Sequence, residues 1–149
     1  MLINSMLNED RTRAKIEGAS KKRVLESLAT IFAESIGDVD ADTLFQSLVQ
    51  REKLGSTGIG EGIAIPHCRF DTRGKTYGAC VSLNEPIDFD SVDGLPVDIV
   101  FAMLVPENAE QNHLEALATL AESMQKSSYV SALRKANTDS QLYEAATNN

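Results

Sequence analysis

Arg51-Glu-Lys-Leu-Gly-Ser-Thr-Gly-Ile-Gly-Glu-Gly-Ile-Ala-Ile-Pro-His67 is the stretch on which the fold turns. Before it, apolar residues recur at helical spacing; after it, they alternate or run together as in strands. Four glycines stand at 55, 58, 60 and 62. Glycine lets the backbone take positive φ and approach a ligand closely. Successive N–H groups in such a loop can form a nest for an anion. Ser56 and Thr57 add hydroxyl donors. Two nucleotide motifs do not fit: there is no Gly-Lys-Ser/Thr for a Walker A loop, and Ile63 stands where a dinucleotide fingerprint needs its third glycine. By composition alone the loop reads as a connection between a helix and a strand.

Working back from the loop, the spacing predicts a helix from about Asp42 to Lys53 with Leu44, Phe45, Leu48 and Val49 as its stripe. Ser20 to Ile36 is a stronger helix, with Val24, Leu25, Leu28, Ile31, Phe32 and Ile36 on one face. Ser20 fits its N-cap, and Gly37 can end it in the left-handed conformation. Arg13 to Ile16 is read as a short strand. Working forward, Ile63 to Ile65 is a brief apolar run closed by Pro66, and Thr76 to Leu83 alternates as a strand. Ile87 to Phe89 is read as a short strand or an extended link. Val97 to Val105 is nearly all apolar, as expected of a strand covered on both faces. Helices follow at Asn112 to Gln125, at Tyr129 to Lys135 and from Thr138, where Gln141 completes a capping box. The order implies a sheet flanked by helices, α/β or α+β.

The chain has 149 residues, so one domain over 1–149 is expected, without linker or repeat. It carries 22 Asp and Glu against 14 Lys and Arg, a net charge of −8. That argues against nucleic acid, whose phosphates need a basic surface, and against a polybasic membrane contact. Cys68 and Cys80 make neither a disulfide framework nor a zinc-type pair, which suits a reducing cytoplasm. The longest apolar run, Ile99 to Val105, is far short of a membrane span, and the polar N-terminus does not read as an export signal.

His67 follows the apolar run and a proline that stiffens its backbone. A neutral imidazole nitrogen is a usable nucleophile. His113 opens a helix, where the positive end of the dipole favours neutral imidazole and nearby anions. Arg51 ends the helix that feeds the loop, and a guanidinium can grip phosphate oxygens in a fork. Each has a plainer explanation: a packing histidine, a helix-start residue, a solvated cation. No third ligand clusters with the two histidines, so a metal site is not expected.

Taken together, Gly55-Ser-Thr-Gly-Ile-Gly and Gly62-Ile-Ala-Ile-Pro-His67 resemble the active-site signature of the enzyme IIA components of the bacterial phosphoenolpyruvate-dependent phosphotransferase system. The resemblance is to the fructose/mannitol/nitrogen-regulatory class, and within it to the nitrogen-regulatory branch. His113-Leu-Glu-Ala-Leu-Ala-Thr-Leu-Ala is similar to that family's second-histidine helix, and Pro96 to Pro106 to the buried strand before it. The resemblance runs from about Ser20 to Tyr143. It implies a mixed, about five-stranded sheet sandwiched between helices. It implies that His67 is transiently phosphorylated, on Nε2, and that Arg51 and His113 stabilise the phosphoryl group. Two positions depart from the family's usual pattern: Glu61 replaces a common Asn, and Cys68 a common Gly.

The function so implied is a cytoplasmic phosphoryl carrier. A histidine phosphocarrier protein would supply the phosphoryl group to His67, with Arg51, His113, Ser56, Thr57 and the loop amides positioning it. No metal, cofactor or nucleotide is expected. The phosphorylation state would be sensed by regulatory protein targets in nitrogen or potassium metabolism. The alternative is a fructose/mannitol-type enzyme IIA passing phosphate to a sugar permease IIB component. Ile59, Ile63 and Ile65 are candidates for an apolar rim around His67, or else for plain core.

Overall fold

The computed structural model describes residues 2–108 and 111–148, without the side chains of residues 2 and 111–113. Helix α1 (Leu2–Met6) was not foreshadowed by periodicity; it buries Ile3 and Met6. Strand β1 (Thr12–Ile16) stands where a short strand was expected. Helix α2 (Lys21–Ile36) is capped by Ser20, whose Oγ accepts from the N–H of Arg23 at 3.2 Å. Gly37 leaves it with φ 76° and ψ 161°, a positive φ as expected but an extended exit rather than a left-handed helical turn. Helix α3 (Ala41–Lys53) starts after Asp40, whose carboxylate accepts from the N–H of Thr43 at 3.0 Å. Of the stripes their spacing predicts, Val24, Leu25, Leu28, Ile31, Phe32, Leu44 and Leu48 are buried, and Ile36, Phe45 and Val49 pack half-buried beside them.

Strands β2 (Gly58–Gly60), β3 (Ile63–Ala64) and β4 (His67–Phe70) follow, then β5 (Tyr77–Ile87) and β6 (Val97–Pro106). The separate element expected at Ile87 is instead the end of β5. The sheet runs β1-β5-β6-β3-β2, with β4 also beside β6. β3 pairs with Ile99 and Val100, the carbonyl of Pro66 accepts from the N–H of Met103 at 2.9 Å, and β4 pairs from His67 opposite Met103 onward. β3, Pro66 and β4 thus form one interrupted line along a single edge of β6, so six strands fill five positions. β1 is parallel to β5, β3 and β4 are parallel to β6, and the β5–β6 and β2–β3 pairs are antiparallel. The sheet is mixed, as the family resemblance implies.

β6 is buried along its length and divides the core. Ile99, Phe101, Met103 and Val105 face the cluster that includes α1 and helices α4 (Gln111–Ser123), α5 (Ser127–Lys135) and α6 (Asp139–Thr147). Val100, Ala102 and Leu104 face the cluster with α2 and α3. Alternation along one strand therefore serves two cores, one per face. Thr138 caps α6 through the N–H of Gln141 at 3.1 Å, while Gln141 Oε1 accepts from Asn137 N–H at 2.9 Å, one residue outside the expected box.

The sheet margins are irregular. Lys15 in β1 has φ 56°, and its N–H donates to Ser82 Oγ at 2.8 Å rather than to a regular ladder. The neighbouring N–H of Ala14 donates to Asp139 Oδ1 at 2.8 Å. On the other margin, β2 is three residues long.

Candidate functional site

A cleft of about 570 Å³ opens beside β4. Ser47, Gln50 and Arg51 of α3 line one wall with Leu54, the residue after the helix. His67, Cys68 and Arg69 come from β4, and Met103 and Val105 from β6. Leu114 and Leu117 of α4 close the far side. Leu54 is 84% exposed and Leu114 is 41% exposed, so the mouth has an apolar rim open to solvent. Ile63 and Ile65 are core, and Ile59 is exposed away from the cleft; none of the three forms this rim.

His67 is partly buried, and among the described residues its ring makes a hydrogen bond from Nδ1 to the carbonyl of Ile65 at 2.8 Å. A carbonyl only accepts, so Nδ1 carries the proton and Nε2 presents its lone pair. Burial is the main influence lowering the imidazole pKa below its ordinary value; the Ile65 bond opposes it, the Arg51 charge adds to it and the Glu52 charge opposes it. The ring is therefore neutral at neutral pH, with the lone pair on Nε2.

Arg51 Nη1 donates to the carbonyl of Gly55 at 2.9 Å, which orients the guanidinium at the cleft wall. Arg69 is a second guanidinium in the same cleft, and its Nη1 donates to the Glu107 carbonyl at 3.2 Å. It lies two residues after His67 on one strand, hence on the same face. Sequence reasoning missed it because no strand was expected at 67–70. His113 falls in the first turn of α4, one residue before the cleft residue Leu114. Its side chain lies outside the described residues.

Ser56 and Thr57 are not brought to the cleft. The Ser56 hydroxyl donates to the Phe89 carbonyl at 2.6 Å and accepts from the N–H of Gly58 at 3.0 Å. Thr57 is buried, and both its N–H and its hydroxyl donate to the Glu52 carboxylate. Four of the loop amides are not open to a ligand either. Those of Gly55, Thr57, Gly58 and Glu61 are already donated to Glu52 carbonyl, Glu52 carboxylate, Ser56 and Asp93. The glycines instead permit close packing. A Cβ on Gly58 would lie 2.2 Å from Ser91 Oγ, and one on Gly62, at φ +81°, would lie 2.5 Å from an Arg134 nitrogen. The helix-to-strand connection is the reading the geometry supports, closed by a β2–β3 turn.

Glu61 sits in that turn with φ 59°, its carbonyl accepting from Arg134 Nη2 at 2.6 Å, and does not line the cleft. Cys68 packs mainly into the α2/α3 side of the core, and burial pushes its thiol up to about 12. It is inert in that form. Among the described residues no three His, Cys, Asp or Glu side chains cluster as metal ligands, and no helix is long and apolar enough to cross a membrane.

The chemistry offered is a neutral imidazole in a cleft that Arg51 and Arg69 also line, with the Arg51 charge acting on the ring. Residues 5–149 match the family described as phosphoenolpyruvate-dependent sugar phosphotransferase system, EIIA 2. A nitrogen regulatory protein of Pseudomonas aeruginosa is 44% identical over 142 residues, 95% of this chain and 92% of that one. The crystal structure of nitrogen regulatory protein IIA-Ntr from Neisseria meningitidis superposes with a TM-score of 0.89 at 36% identity, covering 99% of this chain and 100% of that one. IIA mannitol from Escherichia coli shares the fold, with a TM-score of 0.77 at 19% identity over 95% of this chain and 99% of that one.

Proposed function

The chain belongs to the EIIA 2 family of the phosphoenolpyruvate-dependent sugar phosphotransferase system, and from that membership we propose that it accepts a phosphoryl group on His67 Nε2 from a histidine phosphocarrier protein. The observation that carries this reading is the Nδ1–H bond to the Ile65 carbonyl at 2.8 Å, which leaves Nε2 as the nucleophile.

In the transfer the Nε2 lone pair forms a bond to phosphorus as the phosphorus–nitrogen bond of the incoming phosphohistidine breaks. The group passes through a loose transition state, its charge spread over three equatorial oxygens. The proton on Nδ1 stays in place, held by Ile65, so the phosphorylated ring is cationic and the group can leave again. Arg51 and Arg69 supply the charge that faces those oxygens, and their effect grows when a docked partner excludes water. Leu54 and Leu114 form the apolar rim on which that partner seats. His113 is assigned a supporting role on the resemblance and its place at the start of α4.

The regulatory part of the reading rests on relatives named nitrogen regulatory proteins, which match over nearly the whole chain. Phosphorylation adds a charge of about −1.5 to −2 at neutral pH, enough to make or break an interface at the cleft mouth. Partners in nitrogen or potassium metabolism would thus distinguish the two states. The likeness to IIA mannitol is one of fold and gives a sugar-permease role no separate support.

The test is intact mass after incubation with phosphoenolpyruvate, enzyme I and the phosphocarrier. Wild type takes up one acid-labile group and His67→Ala takes none. Arg51→Ala accepts more slowly, on the order of a hundredfold, the loss typical of one transition-state donor. Full-rate labelling of His67→Ala ends the assignment. Pull-downs from phosphorylated and unphosphorylated chain test the regulatory role, and identical partner sets count against it.

A further inference from the structure

We propose that Glu52 is a positioning residue for this transfer, its buried carboxylate holding the His67 ring in the reactive tautomer through a hydrogen-bonded chain by way of Thr57 and Ile65. The inference rests on the reading of His67 as acceptor and concerns how the chain prepares that ring.

The links are continuous. The Glu52 side chain is only 6% exposed and is paired with Lys21 Nζ at 3.0 Å. Oε1 accepts from the N–H of Thr57 at 3.1 Å, and Oε2 accepts from the Thr57 hydroxyl. The Thr57 carbonyl accepts from the N–H of Ile65 at 2.9 Å. The Ile65 carbonyl accepts from His67 Nδ1 at 2.8 Å. Thr57 and Ile65 are both buried, so water competes little for these groups and the backbone between them is held in place. The carboxylate thereby fixes the height of the β2–β3 line beside β6, and with it the carbonyl that decides which ring nitrogen is protonated.

The same anchor serves Arg51. Glu52 is its neighbour at the end of α3, and Arg51 bonds the Gly55 carbonyl within the segment Glu52 clamps to Thr57. One carboxylate therefore sets both the imidazole and the guanidinium that faces it. No hydrogen bond joins Glu52 to His67 directly; its charge reaches the ring through space, and its hold on the Ile65 carbonyl runs through Thr57 and Ile65.

Glu52→Gln preserves shape but leaves one acceptor oxygen where Thr57 uses two. Thr57→Val removes the hydroxyl, and Thr57→Ser keeps it. The experiment uses the full chain, labelled with ¹⁵N and unphosphorylated, and reads the two ring nitrogens of His67 by NMR. Phosphoryl acceptance from the phosphocarrier is then followed in the same samples. We expect wild type and Thr57→Ser to hold the Nδ1-protonated tautomer. Glu52→Gln and Thr57→Val should show a mixture of tautomers, with kcat down about tenfold and KM for the phosphocarrier unmoved, about 1.4 kcal/mol of transition-state stabilisation. Amide spectra check the fold, and Glu52→Gln against Thr57→Ser carries the comparison if Thr57→Val does not fold. Wild-type tautomer in Glu52→Gln overturns the role of Glu52, whether or not its rate falls. A wild-type chain that takes no phosphoryl group sinks the acceptor reading instead, which separates the two failures.

Discussion

A single proton decides which nitrogen of His67 can act. Because burial depresses the ring's pKa, the folded chain binds a second ring proton, on Nε2, less tightly than the unfolded chain does. We therefore expect the NMR titration of His67 to have its midpoint below the free-imidazole value of about 6.5. The acceptance rate should be flat from pH 8 to about 6.5 and decline only below it. The sign for stability follows. The contribution of the neutral ring is complete above about pH 6.5 and is lost as pH falls through the lower folded value. Urea unfolding at pH 7 and pH 5 should show a larger acid loss in wild type than in His67→Asn, and equal losses would contradict the buried, neutral ring. Arg69 makes a second test at this scale. Arg69→Ala should slow phosphoryl acceptance by about tenfold or more while the chain keeps its melting temperature, because its guanidinium is exposed and serves the cleft rather than the core. An unchanged rate would leave Arg51 as the sole guanidinium in the reaction.

The connections of the sheet differ in what their glycines must do. Gly62 holds φ +81° with Arg134 and Asp98 against the place a Cβ would occupy, whereas Gly94, at φ +74°, has nothing within 4 Å. Gly94→Ala should cost only backbone strain, about 1–2 kcal/mol, and Gly62→Ala should cost more because the Arg134–Asp98 pair must also move. Denaturant midpoints of the two variants check this, and equal losses would refute the packing role. The same contrast explains what could be read in advance. Helices α2 and α3 and strand β6 announce themselves, because their apolar residues fall at the period of the element that buries them. β4 does not. Its four residues, His-Cys-Arg-Phe, follow a proline, and their strand geometry comes from pairing with β6. β2 is Gly-Ile-Gly, with no side-chain alternation to see, and α1 is too short to show a period. His67 and Arg51 stand out by residue type, but Arg69 needs the strand to be known first. Glu52, Ser56 and Thr57 could not be sorted from the sequence, since hydroxyls that bind a ligand and hydroxyls that bind a carboxylate or carbonyl look alike until the chain is folded.

For the molecule as a whole, β6 is the common wall of two cores. Phe101 is fully buried on one of its faces. Phe101→Ala should destabilise the chain by about 3–5 kcal/mol, measured by urea unfolding, and leave the His67 ring titration in place while the chain is folded. A cost below 1 kcal/mol would mean that the two faces are not packed as described. The margins of the same sheet carry a different consequence. At one side the N–H of Ala14 is turned onto Asp139 and the strand bulges at Lys15, φ 56°; at the other, β2 stops after three residues. Neither flank offers a long, straight row of free donors and acceptors to a neighbour. Copies crowded together are thus offered no ready edge for the strand-by-strand stacking that seeds fibrils, although Ile99 to Val105 of the central strand is wholly apolar.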